Sequence, residues 1–116
     1  MGVLCAASCA VCFAQDYPSH PVKIIVPYTA GGSSDFVART VAARLGERFK
    51  QPFVVENKPG GNAQIGTEFV AKALPDGYTL LLMGLTTHVT APALYRKLPY
   101  DAIKDFAPIA RAVRSE

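Results

Sequence analysis

KIIVPYTAGGSSDFVARTVAARL, residues 23–45, decides the fold. Together with Val22, its first four residues form a short apolar run rich in β-branched side chains and closed by Pro27. Such a run predicts a strand over 22–26, buried on both faces. From Ser34 to Phe49 the period changes. Ala38, Val41, Ala42, Leu45 and Phe49 recur at helical spacing, and Arg39, Arg44, Glu47, Arg48 and Lys50 take the wet side. Ser33 or Ser34 offers an N-cap, and Asp35 suits the positive end of the helix dipole. Between strand and helix stands Gly31-Gly32, a turn without Cβ atoms.

The same order repeats downstream. PFVVE at 52–56 predicts a second strand, and NKPGGN at 57–62 a loop by composition. A second helix is expected over 63–74, with Ile65, Phe69 and Ala73 on one stripe and Gly66, Val70 and Leu74 beside it. Pro75-Asp76-Gly77 stops it in a tight turn. YTLLLM at 78–83 reads as a third strand, apolar on both faces, and 84–90 as a polar loop around His88. Short helical turns are expected at 92–95 and 102–106, and 108–113 is a candidate fourth strand. The order β-α-β-α-β predicts an α/β fold with a parallel, doubly wound sheet and right-handed crossovers.

Half of the 116 residues are apolar and the formal charge is +3, which fits one small globular domain and not a disordered chain. The twelve Lys and Arg are scattered, with no run longer than two, so no nucleic-acid footprint is present. The three cysteines, at 5, 9 and 12, lie in the uncharged stretch MGVLCAASCAVCFA. Residues 1–14 are too few to span a bilayer and resemble the remnant of a secretory signal, with Cys12 and Ala14 where a signal peptidase reads. Cleavage after Ala14 would start the mature chain at Gln15 and leave it without cysteine. No Lys or Arg precedes the apolar run, and a buried N-terminal strand or helix is the alternative. The cysteine spacing, with no histidine nearby, matches no common zinc pattern, so no metal site is expected.

In parallel sheets of this kind, ligands bind outside the carboxyl ends of the strands. Three loops leave those ends, at 28–34, 57–62 and 84–90, and the first two carry a Gly-Gly pair and open a helix. Glycine lets backbone N–H groups approach a ligand, and helix N-termini present unpaired N–H groups with partial positive charge. Two such termini on one edge make a receptor for a carboxylate or a phosphate. The alternative is two tight strand-to-helix turns with no ligand. Neither the dinucleotide spacing G-x-G-x-x-G nor a P-loop is present, so no nucleotide cofactor is implied. Ser33, Ser34 and His88 invite a nucleophile-and-base reading. However, no G-x-S-x-G elbow exists, the serines can serve as caps, and the histidine suits a lining role better.

VENKPGGN at 55–62, IGTEFVAKALPDGYTLLL at 65–82 and LPYDAIKDFAPI at 98–109 strongly resemble the Bug-type solute-binding proteins, the extracytoplasmic receptors of tripartite tricarboxylate transporters. The resemblance covers residues 17–113. It implies a periplasmic-binding-protein-like fold (type II) with two α/β domains around a cleft, of which 15–116 would be the N-terminal portion of the first. It also implies a non-enzymatic, periplasmic, cofactor-free receptor for small carboxylates, monomeric at full length and partnered by inner-membrane permease subunits. The gripping loops would be 28–34 and 59–67. Tyr28, Thr29, Gly31, Gly32 and Ser33 would form one jaw, and Gly60, Gly61, Asn62 and Thr67 the other, with Thr87 and His88 lining the cleft. The rival readings are an anion- or phosphate-binding α/β enzyme domain and a truncated product without binding activity.

Family members are much longer than 116 residues, so the expectation is an incomplete sheet with an open edge and uncovered apolar surface. Residues 15–116 alone should then unfold at low urea and self-associate. A cooperative, monomeric and robust urea transition would contradict this.

Overall fold

The computed structural model describes residues 16–114; the signal segment read at 1–14 lies outside the described residues. The elements run β1 (Val22–Val26), α1 (Ser33–Phe49), β2 (Phe53–Asn57), α2 (Gln64–Ala71) and β3 (Thr79–Leu81). A π-helical turn at Thr86–Thr90 then leads into α3 (Ala91–Leu94). The three strands form one parallel sheet in the order β2-β1-β3, with Ile24 in register with Val55 on one side and Leu80 on the other. The first crossover moves outward to β2 and the second returns past β1 to β3. With right-handed connections, α1 and α2 therefore cover opposite faces.

The core is built on β1, because only a central strand has neighbours on both edges. Val22, Ile25 and Val26 are fully buried, while Lys23 stays exposed and salt-bridges Glu56 of β2. On the α1 side, Ala38 and Ala42 sit against Ile24 and Val26, ringed by Tyr28, Phe53, Val55, Leu80 and Leu82. Small residues at the contact let this helix lie close to the sheet. Phe49, expected on the buried stripe, remains at the surface near Phe53.

Several expectations are corrected. The buried side of α2 is Gly66 and Thr67, continuing from Ala63, and not the stripe through Ile65 and Phe69, which are 56% and 41% exposed. The reason is close approach. A Cβ on Gly66 would lie 2.7 Å from the Lys58 carbonyl oxygen and 2.9 Å from Pro27 Cα. The helix therefore turns its smallest residue to the sheet edge and its largest apolar ones outward. It also stops at Ala71, leaving Leu74 76% exposed. Of residues 84–90, expected as a loop, all but Gly84 are helical, because the Thr87 hydroxyl closes the turn on Gly84 and the Ala91 N–H bonds the Thr86 carbonyl. Of 102–106, only a single turn forms, held by the Asp101 carboxylate accepting from the Ile103 and Lys104 N–H groups. Residues 108–113 form no strand; they run exposed, with Ile109 at 79%, and pair with no described strand. β3 is half-buried where full burial was expected, since no described element covers its outer edge.

At the opposite end of the sheet, Tyr17 bonds the Gly77 carbonyl and His20 stacks on Tyr78. This pins the entering chain to the turn before β3. Among the described residues, no helix is long and apolar enough to cross a membrane.

Gly66→Ala should cost about 2–3 kcal/mol, because the new methyl meets backbone that cannot yield. The measurement is the urea midpoint of the variant against that of the parent chain.

Candidate functional site

The ends of β1, β2 and β3 deliver three segments to one edge, and β1 in the middle touches both neighbours. The Lys58 N–H bonds the Val26 carbonyl at 2.9 Å, continuing the β1–β2 ladder into the second Gly-Gly loop. A Cβ on Gly84 would stand 3.0 Å from the Tyr28 hydroxyl, so the loops after β1 and β3 are in contact as well. Thr29, Gly31, Gly32 and Ser33 are exposed at this edge, as are Gly60, Gly61 and Asn62. Tyr28 is half-buried against the core.

Each helix opens differently. In α1 the N-cap is Gly32 and makes no side-chain cap, contrary to the expectation for Ser33 or Ser34. The first helical bond is Phe36 N–H to the Gly32 carbonyl, so the N–H groups of Ser33, Ser34 and Asp35 precede the helical ladder. In α2 the run Gly60, Gly61, Asn62 and Ala63 has φ of 118°, 59°, 55° and 68°, a left-handed turn that delivers the chain into the helix. The Thr67 hydroxyl is buried and donates to the Ala63 carbonyl at 2.7 Å, bracing that turn from inside. Thr87 is likewise buried and bonded to Gly84 and to His88 Nδ1. His88 lies edge-on to Phe106, and burial pushes its pKa down, favouring the neutral ring. The hydroxyls of Thr67 and Thr87 thus bond within the scaffold, and Gly31, Gly32, Gly60 and Gly61 expose backbone without side chains at this edge.

Sequence reading missed the centre of this edge. Asp35 is 5% exposed. Its Oδ2 accepts from the Gly31 N–H at 3.0 Å and from Arg39 Nε at 3.0 Å, and its Oδ1 accepts from Asn57 Nδ2 at 3.0 Å. Asn57 Nδ2 also donates to the Tyr28 carbonyl. The available signal was the Asp35–Arg39 pair at i, i+4 spacing. Lys58, the cation of the second loop, is paired with Glu56 at 3.0 Å and lies 4.3 Å over the Phe69 ring, so it is not a free anion-binding charge. Among the described residues, no cluster of three His, Cys, Asp or Glu could hold a metal ion.

A family model described as "Tripartite tricarboxylate transporter family receptor" matches residues 37–116. The chain belongs to this receptor family. A UPF0065 protein of Bordetella bronchiseptica is 44% identical over 111 residues, which is 96% of this chain and 33% of the relative. Among solved structures, the periplasmic binding protein BugD has 45% identity and a TM-score of 0.75 over 80% of this chain and 31% of its own. MatC of Rhodopseudomonas palustris with bound malate has 40% identity and a TM-score of 0.76 over 79% of this chain and 31% of its own. The chain spans about a third of the length of the curated relatives it matches.

In this receptor chain the hydrogen bond from Arg39, followed by those from Gly31 and Asn57, lowers the Asp35 carboxyl from 3.8 to about 2. A depressed folded-state pKa means that the stabilisation is complete above the unfolded value and is lost as pH falls toward the folded one. The urea midpoint should therefore drop between about pH 4 and pH 2. Asp35→Asn should lower stability at neutral pH and flatten that drop. The flattening will be partial, because Glu56, held by Lys58, and Asp101, held by the Lys104 and Ile103 N–H groups, are lowered as well.

Proposed function

We propose that residues 15–116 are the N-terminal portion of the first α/β domain of a two-domain extracytoplasmic receptor, and that this portion grips one carboxylate of a small solute. The observation that carries the reading is the convergence of two helix-opening Gly-Gly loops on one sheet edge, with the nearby charges Lys58 and Arg39 already paired inside the protein. Neutral backbone donors at helix N-termini suit a carboxylate without needing a cation. Residues 29–33 form one jaw and Gly60, Gly61 and Asn62 the other. Tyr28 and His88 line the contact with the β3 loop, and Thr67 and Thr87 brace it. MatC was solved with malate and a second neighbour from Rhodopseudomonas palustris with adipate, so dicarboxylates are the first solutes to test.

The receptor reading extends to a periplasmic location, a monomer at full length and delivery to inner-membrane permease subunits. It assigns no chemistry to the site. The Thr87–His88 pair has the contact of a nucleophile and base at 2.8 Å, but Thr87 is fully buried and its hydroxyl already donates to the Gly84 carbonyl. A solute could not reach that oxygen without unwinding the turn.

Malate or adipate should raise the unfolding temperature of the chain, and the corresponding diamides should not. Saturation at a hundred times Kd corresponds to about 2.7 kcal/mol. Gly32→Val is the discriminating variant. Gly32 has φ −83°, and a Cβ there would meet nothing nearer than the Thr29 carbonyl oxygen at 3.8 Å, so the fold should tolerate the substitution. The added side chain would stand over the first jaw and weaken carboxylate binding at least about tenfold, or about 1.4 kcal/mol. Equal effects of acid and amide, or unchanged binding by Gly32→Val, would refute the reading.

A further inference from the structure

The carboxylate nearest the first jaw belongs to the protein itself. Asp35 is buried in the first turn of α1 and takes the Gly31 N–H, while Asn57, the last residue of β2, links it to the Tyr28 carbonyl. Arg39 closes the group by donating to Asp35 at 3.0 Å and to Asn57 Oδ1 at 3.3 Å. One small cluster therefore joins the loop after β1, the start of α1 and the end of β2, one residue before the second Gly-Gly loop begins. Gly31 has φ +88° and open space around it, so no side-chain packing holds its conformation. A hydrogen bond to an ionised acceptor does.

We propose that Asp35 is an internal anion that sets the first jaw: it consumes the Gly31 N–H, leaves those of Ser33 and Ser34 for the solute carboxylate, and through Asn57 fixes the spacing of the two Gly-Gly loops. This rests on the carboxylate-binding reading. Asp35 is a positioning residue, acting through the loop and not by touching solute. It has a second effect on the hollow of about 390 Å³ bounded by Gly31, Gly32, Asp35, Phe36, Arg39 and Thr40. An unpaired Arg39 guanidinium there would be a solvated, salt-sensitive charge competing with the backbone donors for an anion. With its Nε held by Asp35, that charge is neutralised, and a dicarboxylate is directed to the backbone donors. Arg39 is the charged group in contact with Asp35 among the described residues; its other partners, Gly31 and Asn57, are neutral. Recognition by neutral donors should make solute binding only weakly dependent on salt.

The test uses the full 116-residue chain, isotopically labelled, in solution NMR. In the parent chain, a scalar coupling across the hydrogen bond should connect the Gly31 nitrogen to the Asp35 Cγ; its absence overturns the internal anion. Malate should move the amide signals of Ser33, Ser34, Gly61 and Asn62 and leave Gly31 nearly still. A Gly31 shift as large as that of Ser33 overturns the donor assignment. In Asp35→Asn, malate affinity should fall about tenfold and its salt dependence should steepen, because Arg39 is released. Unchanged affinity and salt dependence overturn the positioning role. If malate moves no amide in the parent chain, the carboxylate reading fails and the donor assignment fails with it. The Gly31–Asp35 coupling then decides separately whether Asp35 orders the loop. That coupling needs no variant, so a failure of Asp35→Asn to fold would not leave the internal anion undecided.

Discussion

The loop ends at this edge are tied together by one buried carboxylate and the donors around it. Asp35 meets a main-chain N–H, a guanidinium and an amide, each at 3.0 Å. Burying a carboxylate is costly unless it is fully hydrogen-bonded, and here each oxygen has at least one donor. The satisfied group then works as a joint. It bonds the N–H of Gly31, a residue with no side-chain packing of its own. It also ties the loop of Gly31 to the strand from which the other glycine-rich loop departs.

The second constraint is steric. Gly66 brings α2 against Pro27 and the Lys58 carbonyl so closely that no Cβ fits. That contact places the start of α2, with its left-handed turn, beside the end of β1. The buried side of the helix then runs through Ala63, Gly66 and Thr67, and Ile65 and Phe69 fall outside it. Hydrophobic periodicity alone ranks side chains by size and would bury the largest. Packing at this site ranks them by the room available, and the smallest wins.

Electrostatics at the edge are quieter than the composition suggests. Lys58 is occupied by Glu56 and the face of Phe69, and Arg39 by Asp35 and Asn57. The remaining attraction for an anion comes from N–H groups at helix N-termini, which carry no titratable charge of their own. Fixed dipoles bind a carboxylate with less pull than a desolvated ion pair.

The sequence by itself determined the alternation of strands and helices, the parallel sheet and the two Gly-Gly loops at its carboxyl edge, because periodicity, proline and glycine act locally. It also pointed to backbone donors through the two Gly-Gly pairs. Only the tertiary structure decided that one of those donors, the Gly31 N–H, is taken by Asp35. Asp35, Arg39 and Asn57 read as a dipole residue, a wet-face residue and a loop residue, because nothing local reveals that a strand end 22 positions away supplies a hydrogen bond to Asp35. Thr67 reads as part of the second jaw and Thr87 as a lining residue, and nothing local reveals that folding buries both hydroxyls against nearby backbone carbonyls. The helical turn at Thr86–Thr90 runs against the low helix propensity of its threonines, and it forms because a side-chain bond to Gly84 and the Tyr100 hydroxyl on the Thr87 carbonyl hold it. Propensity is a property of neighbours in the chain; a site is a property of neighbours in space.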